Sequence, residues 1–149
     1  MADESLIELL NAHLSKEWHS DEPVSETQIT EAERLVGARF PDDYREILRR
    51  WGAGLLYAEN SKVVLLPLRH LSQFNANPEK SAEWNAMFFF ADDEGDHLYF
   101  YDHANRLGRG AWAIFAIDEG VRTTDYAKYV AGSLSELMKR ALGGETVIE

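Results

Sequence analysis

The stretch 29-ITEAERLVGARFPDDYREILRRWGAG-54 carries the densest structural signals in the chain. It reads as two short helices joined by a tight link. Just upstream, Val24, Ser25, Gln28 and Ile29 hold the places of an apolar N′ residue, an N-cap, a capping-box partner and a staple partner. Ile29, Ala32, Leu35 and Val36 repeat at helical spacing, and Gly37 suits a left-handed C′ position. Pro41 suits the first turn of a second helix, where its missing N–H removes no bond. Tyr44, Ile47, Leu48 and Trp51 then form an apolar stripe that ends at Gly52 and Gly54. This block is rich in caps and packing positions and poor in catalytic groups. It reads as a scaffold that presents a surface.

Working outward, Leu6, Leu9, Leu10, His13, Leu14 and Trp18 predict an amphipathic helix over residues 4–19, followed by a short acidic linker to Val24. Residues 62–68, KVVLLPL, read as a strand that Pro67 ends or places at an edge, and residues 69–84 as irregular or weakly helical. Residues 86–102, AMFFFADDEGDHLYFYD, read as a β-hairpin with an acidic, Gly-containing turn. Another buried strand is expected over residues 111–117, AWAIFAI, and a short helix or turn over residues 124–130. Ser133 and Glu136 have capping-box spacing ahead of a last helix with Leu134, Leu137, Met138, Ala141 and Leu142 on its apolar face. Helices first, strands next and one closing helix favour an α+β fold over alternating α/β.

Bulk properties narrow the function. The 149 residues read as one domain, residues 1–149, with residues 1–24 as an N-terminal helix and linker. There is no cysteine, so neither a disulfide framework nor a thiolate metal site is available. The N-terminus lacks a basic n-region and an uninterrupted apolar h-region, and no run approaches a membrane span, so a cytoplasmic location is expected. Fifteen Lys and Arg against 26 Asp and Glu give a formal net charge of −11. That balance argues against nucleic acid and anionic lipid as partners and suits solubility or steering of a basic protein.

Taken in order, these pieces resemble the SUKH superfamily of bacterial toxin-immunity proteins and fungal cell-wall-assembly regulators. The resemblance rests on Ile29, Glu33, Gly37, Phe40-Pro41, Tyr44 and the exit Gly52–Gly54. Downstream it continues through the strand and acidic turn of Phe88–Gly95, Tyr101-Asp102, the strand Trp112–Ile117 and VAGSLSELM from Val130 to Met138, so that it spans residues 25–142. The family often has Leu-Pro where this chain has Phe40-Pro41, with the same apparent structural role. The resemblance implies an α+β fold with one strongly bent, largely antiparallel sheet packed by N-terminal helices and a C-terminal helix. It also implies a non-catalytic binding role, most often neutralisation of a cognate toxin domain that is frequently basic, with a regulatory scaffold in cell-envelope or stress signalling as the alternative.

Candidate contact residues follow from exposure and chemistry. Asp92, Asp93, Glu94 and Asp96 crowd one turn, and four carboxylates repel each other in a way a simple turn does not require. Tyr99 and Tyr101 share one strand parity beside Asp102, and Trp84 lies upstream. Tyr is favoured at protein interfaces. No metal site and no cofactor are expected. Counted from Asp92, Gly95 and His103 occupy positions 4 and 12, unlike an EF-hand loop. His97 and His103 would lie about 20 Å apart on an extended strand. No nucleophile elbow, P-loop or dinucleotide fingerprint is present.

Overall fold

The structure, a computed structural model, describes residues 4–75, 87–120 and 124–148. Helix α1 spans Glu4–Ala12 and α2 spans Glu26–Val36. Ser25 caps α2 by accepting from the Gln28 N–H, while the Gln28 side chain accepts from the Ser25 N–H, closing the capping box. Gly37 ends the helix at φ 85°, donating its N–H to the Glu33 carbonyl. Helix α3, Asp42–Trp51, begins one residue after Pro41, which stands at the N-cap. Tyr44, Ile47, Leu48 and Trp51 are all buried, so its apolar stripe faces the core as the spacing predicts. Leu35 departs from the pattern: it is 68% exposed, because α2 buries only its Ile29 and Ala32 line.

Among the described residues, seven strands form one antiparallel sheet in sequence order: β1 Trp18–His19, β2 Leu55–Tyr57, β3 Lys62–Leu65, β4 Met87–Asp92, β5 His97–Asp102, β6 Ala113–Asp118 and β7 Lys128–Ala131. The remaining elements are α4, Leu68–Asn75, a 3-10 turn at Thr124–Tyr126, and α5, Leu134–Leu142. Register shifts at Phe89/Ala91 and Ile114/Phe115 mark irregularities of the kind that bend a sheet.

Strand alternation sorts the aromatic residues onto two faces. Phe88, Phe90, Tyr99 and Tyr101 join the main core with Ile29, Phe40, Tyr44 and Leu137 from the helices. Phe40 stacks on Phe88 at 5.1 Å, and Phe90 on Tyr101 at 4.1 Å. Met87, Phe100, Phe115 and Ile117 point the other way, into a smaller apolar cluster with Phe89, Leu98, Leu107 and Ala127.

One local expectation is corrected and two are sharpened. The first helix stops at Ala12, not residue 19, and the chain turns through Ser15 at φ 65° so that Trp18 enters β1. Trp18 is fully buried and meets Trp51 edge to face at 5.7 Å. Gly54 makes this possible, since a Cβ there would lie 2.1 Å from the Trp18 ring. Within residues 69–84, the described part belongs to an ordinary helix, α4; Asn75 closes it by accepting the Phe89 N–H and donating to the Leu71 and Phe89 carbonyls. Of residues 124–130, expected as a short helix or turn, Thr124–Tyr126 forms the 3-10 turn, but Lys128 onward belongs to strand β7, where Tyr129 and Val130 suit pairing with β6.

Candidate protein-binding face

The acidic hairpin turn is both exposed and internally built. The Asp92 carboxylate accepts the Glu94 N–H at 2.9 Å. Asp93 accepts the Gly95 and His97 N–H groups at 2.9 and 3.1 Å and pairs with the His97 ring at 3.0 Å. These bonds let the turn close with Glu94 at φ 58°. Burial, followed by the neighbouring Glu94, Asp93 and Glu119 charges, pushes the Asp92 carboxyl above its ordinary range despite the Glu94 N–H. Burial would also raise Asp93, but the donors from His97 and Gly95 outweigh it and hold that carboxyl low. Glu94 and Asp96 stand exposed at the tip.

Other strands extend the turn into a rim. His97 pairs with Asp118 at the end of β6, its Nε2 lying 3.1 Å from the carboxylate, and the Glu119 N–H donates to the Asp96 carbonyl at 2.7 Å. On the other side the Tyr57 hydroxyl donates to Glu94 at 3.1 Å, and Lys62 lies 5.9 Å from the Tyr57 ring centroid. Burial, followed by the Glu94 bond, raises the Tyr57 hydroxyl pKa. Glu94, Asp96, Asp118 and Glu119 thus face solvent along one end of the sheet. Sequence reasoning placed the hairpin carboxylates here but missed Tyr57, His97, Asp118 and Glu119. Pairing the hairpin with the strand AWAIFAI would have supplied the last three, because that register sets His97 opposite Asp118.

The other expected contact residues lie elsewhere. Tyr99, Tyr101 and Asp102 are fully buried and offer no contact surface. The reason is parity: Tyr99 and Tyr101 point toward the helices, and the Tyr99 hydroxyl donates to the Lys62 carbonyl at 3.1 Å. Asp102 instead anchors the loop after β5, accepting the Arg106 and Leu107 N–H groups at 2.9 and 2.7 Å. Trp84 lies outside the described residues. Among the described residues no group of three or more His, Asp and Glu side chains is placed to hold a metal ion, and no helix is long and apolar enough to cross a membrane.

The helix pair is locked by a half-hidden ion network. Glu33, whose side chain is 12% exposed, accepts the Phe40 N–H at 2.7 Å and the Arg45 Nε–H at 3.1 Å. Arg45, 6% exposed, also reaches Glu26, which in turn takes Arg49 at 3.2 Å. Asp43 joins α3 to α5 by accepting the Ser135 N–H at 3.0 Å. A profile described as the SMI1 / KNR4 family (SUKH-1) matches residues 23–140. The chain belongs to the SUKH-1 family. No curated protein sequence matches it. The matched region runs from just before the α2 cap to the last turn of α5, and within it Glu33 and Arg45 bridge the link, Gly37 ends α2, and Tyr44 is fully buried in the core.

Proposed function

We propose that this SUKH-1 protein is a non-catalytic protein-binding module, an immunity protein that binds and neutralises a cognate toxin domain in the cytoplasm. The observation that carries the reading is the solvent-facing rim of Glu94, Asp96, Asp118 and Glu119, on a chain of formal net charge −11. A toxin domain that acts on nucleic acid needs clustered cations for its phosphates, so an acidic rim is matched to its substrate path. Steering between opposite charges raises association rates by about 10- to 1000-fold. Stoichiometric occlusion of that path requires no reacting group on this chain. Neither nucleic acid nor a membrane is a partner in this reading.

Asp96→Lys/Glu119→Lys tests it, because those two side chains hold none of the turn's hydrogen bonds. Co-expression with a toxin domain encoded beside this gene should restore growth with the parent and restore it less with the variant. Failure of the parent to protect against any neighbouring candidate overturns the immunity reading. Capture of signalling proteins in place of a toxin would move it to the regulatory branch.

A further inference from the structure

At the far end of β5 from the acidic rim, the charge pattern reverses. The loop of residues 103–112 is folded back over the second face of the sheet. Asp102 holds it by the Arg106 and Leu107 N–H groups, and Asn105 accepts the Gly110 N–H at 2.8 Å. Leu107 packs into the smaller apolar cluster beside Phe100 and Phe115. This closure brings the guanidinium carbon of Arg109 to 3.8 Å from the centroid of the Tyr129 ring. Tyr129 in turn meets Phe115 edge to face at 5.7 Å, so its ring rests on the sheet's own aromatic row. Arg106 and Arg109 are both exposed, and among the described residues neither guanidinium has a hydrogen bond or ion pair. Tyr126, in the neighbouring 3-10 turn, is 71% exposed.

We propose that Arg109, laid over Tyr129, forms with Arg106 a second contact face that takes a carboxylate-bearing segment of a protein partner. A guanidinium offers a planar fork of N–H donors that matches a carboxylate in two parallel bonds. Contact with a Tyr face restrains the side chain, so less freedom is lost when it grips a ligand. The loop beneath is itself fixed by three backbone-to-carboxylate or backbone-to-amide bonds. Tyr and Arg are also the residue types in which binding energy concentrates at protein interfaces. Charge selects the occupant. With a net charge of −11, the chain as a whole repels a nucleic-acid polyanion at long range. A short acidic peptide segment needs only the local pair of guanidiniums. The face lies apart from the rim and opposite to it in sign, so it stands whether or not the rim binds a toxin.

The test is a titration of the isotopically labelled full chain at low salt, read by amide chemical shifts. The probe is a capped hexaglutamate peptide, with capped hexalysine and a thymidine oligonucleotide as comparisons. The glutamate peptide should move the signals of Gly108, Arg109, Gly110 and Tyr129 and saturate in the low-millimolar range. Arg109→Met should abolish these shifts while the rest of the spectrum stays in place. Arg109→Lys should weaken binding several-fold, since it keeps the charge and loses the fork, and Arg106→Gln should weaken it less. The proposal is overturned if those signals do not move, if Arg109→Met responds like the parent, or if the oligonucleotide occupies the face more tightly than the peptide.

Discussion

Glu33→Gln removes one charge from the centre of the helix pair while nearly preserving shape. In the parent, one carboxylate oxygen takes both the Phe40 N–H at 2.7 Å and the Arg45 Nε–H at 3.1 Å. The amide oxygen of Gln can still accept from both donors, but it no longer carries the charge that offsets the guanidinium. The Gln NH2 group also adds donors beside a guanidinium that offers only donors. Breaking one side of a buried ion pair costs about 3–5 kcal/mol. Glu26 still neutralises part of Arg45, which places the expected loss near the lower bound, about 3 kcal/mol. At roughly 2–4 °C per kcal/mol for a chain of this size, Tm should fall by about 6–12 °C. Chemical denaturation should show a lower midpoint with an unchanged m-value. Arg45→Met should be similarly damaging alone, yet Glu33→Gln/Arg45→Met should cost less than the two added, with a coupling of about 1–3 kcal/mol. Raising salt should leave most of the loss in place, because a half-hidden pair is weakly screened. A fall in Tm below about 2 °C, or strict additivity in the double variant, would refute the role assigned to this network.

The two turn carboxylates should respond to pH in opposite senses. Asp92 has a raised folded pKa, so its contribution favours folding at low pH and is lost as pH rises through the folded value; Asp92→Asn, which keeps the acceptor for Glu94, should hold or raise Tm at pH 7 and lose that advantage below about pH 4. Asp93 has a lowered folded pKa, so its stabilisation is present above the unfolded value and disappears as pH falls; Asp93→Asn should cost about 1–2 kcal/mol at pH 7 and progressively less below about pH 4 in thermal melts. Gly54→Ala drives a methyl into the Trp18 ring at 2.1 Å and should lower stability by about 1–3 kcal/mol, with a change in Trp fluorescence reporting the displaced ring.

Much of the fold is legible from local signals. Ser25 with Gln28, Gly37, and the stripe Tyr44, Ile47, Leu48 and Trp51 each act within a few residues, and each occupies its expected role. The hairpin was legible because its apolar runs flank a turn of Asp and Gly. What escaped depends on distant pairing. Strand β1 is two residues long and exists through β2, while the space for Trp18 is set by Gly54, 36 residues on. For the candidate face, composition located the acidic tip but could not separate Asp93, which holds the turn, from Asp96, which is free to meet a partner. Neutralising all four tip carboxylates would therefore mix loss of the turn with loss of contact. Tyr99 and Tyr101 share a parity that was read correctly, but the side that the helices cover is decided by packing.

Calorimetric titration of the parent and of Asp96→Lys/Glu119→Lys into the purified toxin domain encoded beside this gene bears most directly on the central claim. The parent is expected to bind at a ratio near one to one and to weaken as salt rises. The variant is expected to keep the parent's melting behaviour, to bind more weakly at low salt, and to show a flatter salt dependence. Equal affinity and equal salt dependence for the two proteins would remove the acidic rim from the interface. No heat of binding with the parent, together with no inhibition of the toxin's activity, would contradict neutralisation by binding.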